Sequence, residues 1–341
     1  MHPRKVLLTS ALALTGVGAL ASVAQADAPA PAPATTPTVA ATAAPPAAPA
    51  APPPPYSVPW QLRPLAAANV IRLDSSTAFY ENPANGDTGH TTATMALFSY
   101  KVTPHLAPLV RFGYVDNTAP TPTAAAPSGT AFLNPIVGIT YANTVDRFRF
   151  APFLGVTIPV GQGGGDKPDA GAATALKAGI NARSAMDNAM FAVNYTTAIA
   201  GFGAGYVASG FTAQAEVTLF QLFRSRGTSA ASSLDSTRTN STAGVHLGYF
   251  LLPSLSVGAE ARYQRWLSTP HKKVTNAAGM TSIVPFADSD MDNVTAALGV
   301  RGHFKVGKAW LRPGLSYARG LDAPLTTASY NVVQIDVPFV F

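Results

Sequence analysis

The charged residues of this chain recur at alternate positions within apolar segments. Arg147 and Arg149 alternate with Phe148 and Phe150, and Leu255–Gln264 repeats the pattern with other residues. Because successive side chains of a β-strand point to opposite faces, such segments place charges on one face and apolar groups on the other. Opposite charges that share a face can form ion pairs or line a path for water and solutes.

The same parity assigns ten charged residues to one shared face of the predicted sheet. They are Arg72, Asp74, Arg111, Arg149, Glu216, Glu260, Arg262, Arg301, Arg312 and Asp336. If these side chains line a water-filled path, the excess of arginine favours anionic solutes. If they pair with one another instead, they form a network that fills a narrow interior and conducts nothing. The sequence leaves both interpretations open.

Motifs for other chemistry give little support to an enzyme or a metalloprotein. No histidine lies in a Gly-x-Ser-x-Gly or His-Glu-x-x-His context, and the chain has no cysteine. The segment Asp288–Asp292 carries three carboxylates that could bind a divalent cation, but a solvated acidic loop is the favoured interpretation. We therefore expect no catalytic residue, no cofactor and no metal site.

The alternating segments divide the chain into about twelve predicted strands. They are Ala67–Tyr80, Thr91–Val102, Leu106–Val115, Ala131–Ala142, Arg147–Val160, Thr197–Ala208, Thr212–Arg224, Thr242–Leu251, Leu255–Leu267, Asn293–Phe304, Ala309–Arg319 and Ser329–Phe341. Connections after the even-numbered strands are tight, whereas those after the odd-numbered strands are mostly longer. This alternation is typical of a closed membrane barrel with both termini on its short-turn side. A large soluble β-sandwich is the competing class, because its strands would alternate as well.

The third long connection, residues 161–196, departs from the strand pattern. It carries three consecutive glycines at 163–165, followed by apolar residues at helical spacing between Ala170 and Val193. An amphipathic helix in this connection could fold into the barrel as a constriction or plug, or it could cap the loops from outside. The many small residues of this segment favour the inward arrangement, because they permit close packing against a wall.

The final residues, Tyr330–Phe341, form a strand that ends on an aromatic residue. Gln334, Phe339 and Phe341 fit the pattern polar-x-Gly-x-x-aromatic-x-aromatic, with Asp336 in the Gly position. In this ending the chain resembles the outer-membrane β-barrel proteins of Gram-negative bacteria, whose last strand carries such an assembly signal. The resemblance implies recognition by the barrel-assembly machinery and contact with outer-membrane lipid and lipopolysaccharide.

The start of the chain indicates export. Two basic residues precede an apolar run, and a small-x-small cleavage site ends at Ala26, so residues 1–26 are predicted to be a cleaved signal peptide. Residues 27–62 are rich in Ala and Pro and are predicted to form a disordered, extended periplasmic spacer, acting as a plain tether or reaching a partner. Residues 63–341 then form the barrel. The formal net charge of +6 is too small and too dispersed to indicate nucleic acid as a partner.

We therefore expect an all-β protein: a transmembrane antiparallel up-and-down barrel of about twelve strands, with a helical insert in one long extracellular loop. Its expected location is the bacterial outer membrane. Its expected function is that of a passive channel for small anionic or hydrophobic solutes, and the 161–196 insert is expected to narrow this channel. A non-conducting structural or interaction barrel is the alternative. A lipid-modifying enzyme is less favoured, because no local motif supports one.

Overall fold

The barrel is formed by one closed antiparallel sheet. A computed structural model describes residues 56–124, 126–183, 188–227, 235–276, 279–288, 291–323 and 325–341. Twelve wall strands pair in chain order, and the last of them pairs back on the first. Closure satisfies both edges of the sheet, which an open sheet would leave unpaired. The predicted signal peptide and residues 27–55 of the predicted spacer lie outside the described residues.

The barrel combines eighteen strands and two helices within the described part of the chain. In chain order they are β1 (Val70–Glu81), β2 (Thr88–Ser99), β3 (Leu106–Thr118), β4 (Gly129–Phe132), β5 (Ile136–Tyr141), β6 (Asn143–Val145), β7 (Phe148–Thr157), α1 (Ala170–Ala182), α2 (Asn188–Phe191), β8 (Tyr195–Ala208), β9 (Phe211–Arg224), β10 (Thr237–Leu252), β11 (Leu255–Trp266), β12 (His271–Thr275), β13 (Thr281–Pro285), β14 (Asp292–Gly302), β15 (Phe304–Val306), β16 (Ala309–Leu311), β17 (Gly314–Gly320) and β18 (Asn331–Val340). The wall runs β1-β2-β3-β5-β7-β8-β9-β10-β11-β14-β17-β18. The short strands β4, β6, β15 and β16 extend this wall, while β12 and β13 form a separate hairpin.

The predicted all-β barrel of twelve strands with a helical insert is confirmed. Two predicted strands are interrupted for local reasons. The wall breaks between β4 and β5 because Asn134 turns away and donates its backbone N–H to Met190 O at 2.9 Å. It breaks between β16 and β17 at Pro313, which has no N–H to donate. The β12–β13 hairpin was not predicted, because its largely exposed residues show no apolar face.

The two ends of the barrel differ in their connections. We call the end with the connections 100–105, 209–210 and 253–254 the short-turn end. We call the other, which carries the connections 158–194 and 267–291, the long-loop end. Both helices belong to the long-loop end, whereas the chain enters β1 and leaves β18 at the short-turn end.

The outer face of the wall is largely apolar. Large apolar side chains on this face are about half exposed or more, among them Leu73, Leu154, Val217, Leu247, Leu298, Leu315 and Ile335. Exposed aromatic residues cluster near both ends, with Tyr100, Tyr141, Tyr249 and Phe341 at the short-turn end and Tyr114, Tyr263 and Tyr317 toward the long-loop end. An apolar band between two aromatic girdles is the surface expected of a barrel that faces lipid. Among the described residues, neither helix has the length and apolarity needed to cross a bilayer.

The apolar band predicts a position-dependent cost of charge. Leu298 lies at the middle of β14 and is 67% exposed, so we expect Leu298→Arg to destabilise the barrel in lipid by roughly 2–4 kcal/mol. Met280, next to β13, is 66% exposed but lies outside the wall, so Met280→Arg is the matched control. Equilibrium refolding into liposomes measures both variants. Equal stability of the two would contradict a lipid-facing band.

Candidate functional site in the barrel interior

A segment of the chain's own N-terminal region occupies the barrel interior. Residues Tyr56–Leu65, which we call the lumen segment, precede β1 and include residues that are almost fully buried, such as Trp60 and Leu62. Many of their hydrogen bonds run to inward-facing residues of the wall more than 150 positions away in sequence, including Thr212 and Glu260. Residues 56–62 were predicted to belong to the periplasmic spacer, and they instead pack inside the barrel.

The predicted charged face supplies the hydrogen bonds that the lumen segment requires. Glu260 accepts the backbone N–H groups of Trp60 at 2.7 Å and Gln61 at 2.9 Å. Arg262 Nη1 donates to Gln61 O at 2.7 Å. Buried backbone groups without a partner are costly, so these side chains replace the water that an extended segment would otherwise bind.

Further wall residues hold the rest of the segment. Arg72 Nη2 donates to Trp60 O at 2.5 Å, and Arg301 Nε donates to Val58 O at 3.0 Å. Glu216 accepts the backbone N–H of Arg63 at 2.7 Å and pairs with the Arg63 guanidinium at 3.0 Å. The segment is thus held by side chains from several strands, and its path is fixed from end to end.

The Trp60 indole rests on wall glycines. A Cβ built at Gly258, Gly299 or Gly314 would lie 2.9, 2.8 or 2.7 Å from the indole, closer than real Cβ contacts. The guanidinium carbon of Arg301 lies 5.4 Å from the centre of the indole ring, a cation–π distance. Glycine at these positions therefore makes room for the largest side chain of the lumen segment.

Two carboxylates meet where the barrel closes. Asp74 on β1 and Asp336 on β18 are register partners across the seam between the first and last strands. Arg72 Nε lies 2.8 Å and Arg301 Nη2 2.5 Å from the Asp336 carboxylate, while Arg111 Nη2 lies 3.0 Å from Asp74. All five side chains are nearly or completely buried. The arginines supply the opposite charge that two facing buried carboxylates require.

The 161–196 insert also contacts the interior. Asp169 caps α1 by accepting from Ala172 N at 2.8 Å, and the small residues of the buried helix face lie against the wall. A Cβ at Gly179 would lie 2.6 Å from Val115 Cγ2, which shows how closely the helix approaches β3. Arg183, just after α1, reaches Asp74 Oδ1 at 2.6 Å.

Two residues of the insert contact different walls of the barrel. Arg183 Nη1 donates to Ser76 Oγ on β1 at 2.8 Å, whereas Asn188 Nδ2 donates to Asn240 Oδ1 on β10 at 3.3 Å. In the strand order β1 and β10 lie nearly opposite one another. The insert is therefore held at two nearly opposite walls toward the long-loop end, and the lumen segment lies toward the short-turn end.

The remaining predicted residues lie nearer the rim. Arg149 is half-buried, with its guanidinium carbon 4.8 Å from the centre of the Tyr56 ring. Arg312 is half-buried and lies 5.8 Å from the Trp310 ring centre. All ten residues of the predicted charged face thus lie within or at the edge of the barrel interior. Most of their hydrogen-bonding groups are engaged with the chain itself.

The residues of the predicted assembly signal fall on both faces of β18 and its end. Gln334 is buried and donates to Trp60 O at 3.3 Å, so it contributes to holding the lumen segment. Phe339 and Phe341 have ring centres 5.9 Å apart. Their role in assembly stays a prediction.

Among the described residues there is no group of three or more His, Asp and Glu that could hold a metal ion, while Ser289 and Asp290 of the acidic loop lie outside them.

Sequence reasoning missed the lumen segment, although the wall carries a sign of it. Inward-parity glycines recur on five strands, and each would bring a Cβ within 3.0 Å of a lumen-segment side chain. They are Gly201, Gly203, Gly205, Gly244, Gly248, Gly258, Gly299 and Gly314. Such a run of empty positions around one end of a narrow barrel indicates that something other than wall side chains fills it.

The described residues line a larger and a smaller cavity in the interior. The larger, about 220 Å³, lies between the insert and strands β9, β10 and β11. The smaller, about 50 Å³, lies beside Gln61 and Arg63 of the lumen segment. Each cavity lies where the insert or the lumen segment does not fill the space beside the wall.

A solved outer-membrane channel shares this fold. An outer membrane channel from Pseudomonas putida F1 aligns with a TM-score of 0.51 at 13% identity, over 84% of this chain and 100% of the other. The NanC porin aligns with a TM-score of 0.46 at 10% identity, over 78% of this chain and 98% of the other. At these identities the likeness concerns the fold alone. The sequence matches no protein-family model and no curated protein.

The hydrogen bonds of Glu260 predict how the lumen segment is released. Glu260→Ala leaves the Trp60 and Gln61 amides without an acceptor, at a cost of about 1–3 kcal/mol for each buried group. Because the chain has no cysteine, Leu62→Cys reports exposure of the segment to a soluble thiol reagent. We expect labelling to become about tenfold faster or more when Glu260→Ala is added.

Asp292→Ala is the matched control for this experiment, because Asp292 pairs with exposed Arg265 at 3.3 Å outside the interior. It should leave the labelling rate unchanged. If Glu260→Ala also leaves it unchanged in a barrel that remains folded, Glu260 does not hold the segment.

Proposed function

We propose that this protein is an outer-membrane channel for small solutes whose lumen is obstructed by two segments of its own chain. The observation that carries this proposal is the way the interior is filled. Wall side chains alone would make a permanent seal, as in narrow barrels. In this barrel the interior is filled by the lumen segment and the helical insert, which pack against inward glycines and charged residues of the wall. Neither belongs to the wall, so each can move while the barrel stays folded.

The proposed location rests on the outer surface and the two chain ends. The apolar band and aromatic girdles suit a lipid environment, and closure pairs the backbone as a membrane requires. The predicted signal peptide and the aromatic residue Phe341, which follows β18, agree with export and assembly. The fold shared with the Pseudomonas putida F1 channel supports the same proposal. Outer-membrane lipid, lipopolysaccharide and the barrel-assembly machinery are the proposed partners.

Solutes can pass only after the hydrogen bonds between the lumen segment and the wall have broken. Its backbone is held by hydrogen bonds to Glu216, Glu260 and Arg262, and water can replace each of them as the segment withdraws. Withdrawal toward the short-turn end breaks no wall pairing, because the segment precedes β1. We place the long-loop end outside the cell, so that the segment acts from the periplasmic side and the insert from the outer side.

The alternative is a barrel that never conducts. The observation that favours it is the completeness of the buried charge network, in which Arg72, Arg301 and Asp336 are each less than 4% exposed. A sealed barrel would serve as a structural or interaction element of the membrane. We propose no catalytic role: His246 faces Glu260 at 3.0 Å in a fully buried position, and His303 faces Ser256 at 2.8 Å.

A reversible cross-link tests the channel and its obstruction together. A Cβ at Gly203 would lie 2.6 Å from Leu65 Cδ2 and 3.8 Å from the nearest backbone atoms, so cysteines at these two positions face one another without crowding the wall backbone. We expect the oxidised Leu65→Cys/Gly203→Cys protein to conduct less than its reduced form in planar bilayers, because the bond holds the segment in place. The two single-cysteine variants control for the substitutions themselves.

The outcomes of this recording separate the hypotheses. Conductance that is the same in oxidised and reduced forms would show that solutes do not pass the lumen segment. If neither the folded wild-type barrel nor the reduced double-cysteine variant conducts at any voltage, the structural alternative is supported.

Substitution of Arg183, which holds the insert to β1, tests the contribution of the insert to conductance. Arg183→Ala removes the contacts with Asp74 and Ser76, so we expect the insert to move more freely and the conductance to rise or to fluctuate more. Arg319→Ala, an exposed position on β17, is the matched control. Conductance unchanged by Arg183→Ala would remove the insert from the proposed path.

A further inference from the structure

The larger interior cavity has features of a ligand site. Its volume is about 220 Å³, and it lies toward the long-loop end between the insert and the wall. Aromatic walls come from Phe191 and Tyr195 on the insert side and from Phe220 and Trp266 on the barrel side. An apolar cavity of roughly 150 Å³ is enough to bind benzene, so this one has room for a single ring with a small substituent.

A complementary pair of polar atoms lies in this apolar lining. Asn188 and Asn240 both line the cavity, are 5% and 0% exposed, and share one hydrogen bond of 3.3 Å. Within the described part of the chain, Asn188 Oδ1 and Asn240 Nδ2 have no hydrogen-bond partner. Exchange of oxygen and nitrogen in both amides would again leave one donor and one acceptor. Buried polar atoms normally have partners, so this pair is suited to a group that both donates and accepts.

The charge of the lining is already balanced. Arg238 is the charged residue of the lining, and its Nε lies 2.9 Å from Asp235 Oδ2, while its guanidinium covers the Tyr195 ring at 5.4 Å. Burial acts to raise the pKa of Asp235, but hydrogen bonds from His271 and the nearby Arg238 outweigh it and hold the pKa below its ordinary value. Asp235 therefore stays anionic and neutralises Arg238. Among the described residues of this lining, a charged ligand would find no free counter-charge, and it would lose its hydration.

We propose that this cavity binds a neutral single-ring aromatic molecule that carries a carboxamide. The ring lies among Phe191, Phe220 and Trp266, and the carboxamide donates to Asn188 and accepts from Asn240. This deepens the proposed channel function, on which it rests, by naming the class of solute that pauses at the insert.

Benzamide is the probe, measured by isothermal titration on the full-length protein in detergent. We expect saturable binding that Asn240→Leu weakens about tenfold, because one hydrogen bond to a buried amide is lost. Ethylbenzene, which has the ring without the amide, should bind Asn240→Leu at least as well as the wild type. Benzoate, of nearly the same shape but charged, should bind weakly to both. Asn293→Leu on β14, outside the cavity lining, is the matched control and should bind benzamide as the wild type does.

Several outcomes would overturn the site. They are the absence of saturable benzamide binding to the wild type, equal affinities of benzamide and ethylbenzene, and an effect of Asn293→Leu as large as that of Asn240→Leu. If Asn240→Leu does not fold, Asn188→Leu tests the same pair from the insert side.

Binding is measured at equilibrium and without conduction, so its failure is distinguishable from failure of the channel. A conducting protein that binds no benzamide rejects this site and keeps the channel. A barrel that binds benzamide but conducts at no voltage keeps the site and rejects the channel.

Discussion

The rest of the structure depends on the ion pairs of two carboxylates that are buried where the first and last strands of the barrel meet. Asp74 and Asp336 face one another where β1 meets β18, in an interior where an isolated charge would be very costly. Arg72 joins this seam to the lumen segment through Trp60 O, and Arg183 joins it to the insert. One set of ion pairs therefore stabilises the closure of the wall, the position of the lumen segment and the position of the insert. Loss of any one of these charged side chains affects all three.

This arrangement explains how a charged wall can surround segments with little charge of their own. The lumen segment is mostly apolar or neutral, but its backbone carries a donor or acceptor at nearly every residue, and Glu260, Arg262 and Arg301 bind those groups. Hydrogen bonds between a charged side chain and a backbone group are strong inside a barrel, yet water can replace them when the segment leaves. In the proposed channel, the same bonds would hold a closed state and permit an open one. Several of the arginines hold the lumen segment in this structure, and the preference for anionic solutes stays a prediction.

Several features followed from the sequence because they depend on a local period or on connection length. The apolar and polar faces of β7 and β11 alternate as predicted, since a strand has a period of two whatever its neighbours are. Asp336, which departs from the resembled terminal pattern, has a structural reason that only the seam reveals, because its partners Arg72 and Arg301 are distant in sequence. The lumen segment was missed because its Pro-rich surroundings indicate a spacer, while the glycines that receive Trp60 and Leu65 lie on strands far along the chain.

The sequence by itself determined the number of wall strands, the alternation of their inward and outward faces and the end of the barrel that carries the long connections. These depend on alternation and on local turn residues, which a single strand and its flanks contain. The tertiary structure decided what fills the barrel: that residues 56–62 turn inward, that Arg183 of the insert contacts β1, and that Asn188 meets Asn240 on β10 beside a cavity. The physical reason is that these contacts join residues from opposite walls. Their formation depends on closure of the sheet, which no local pattern specifies.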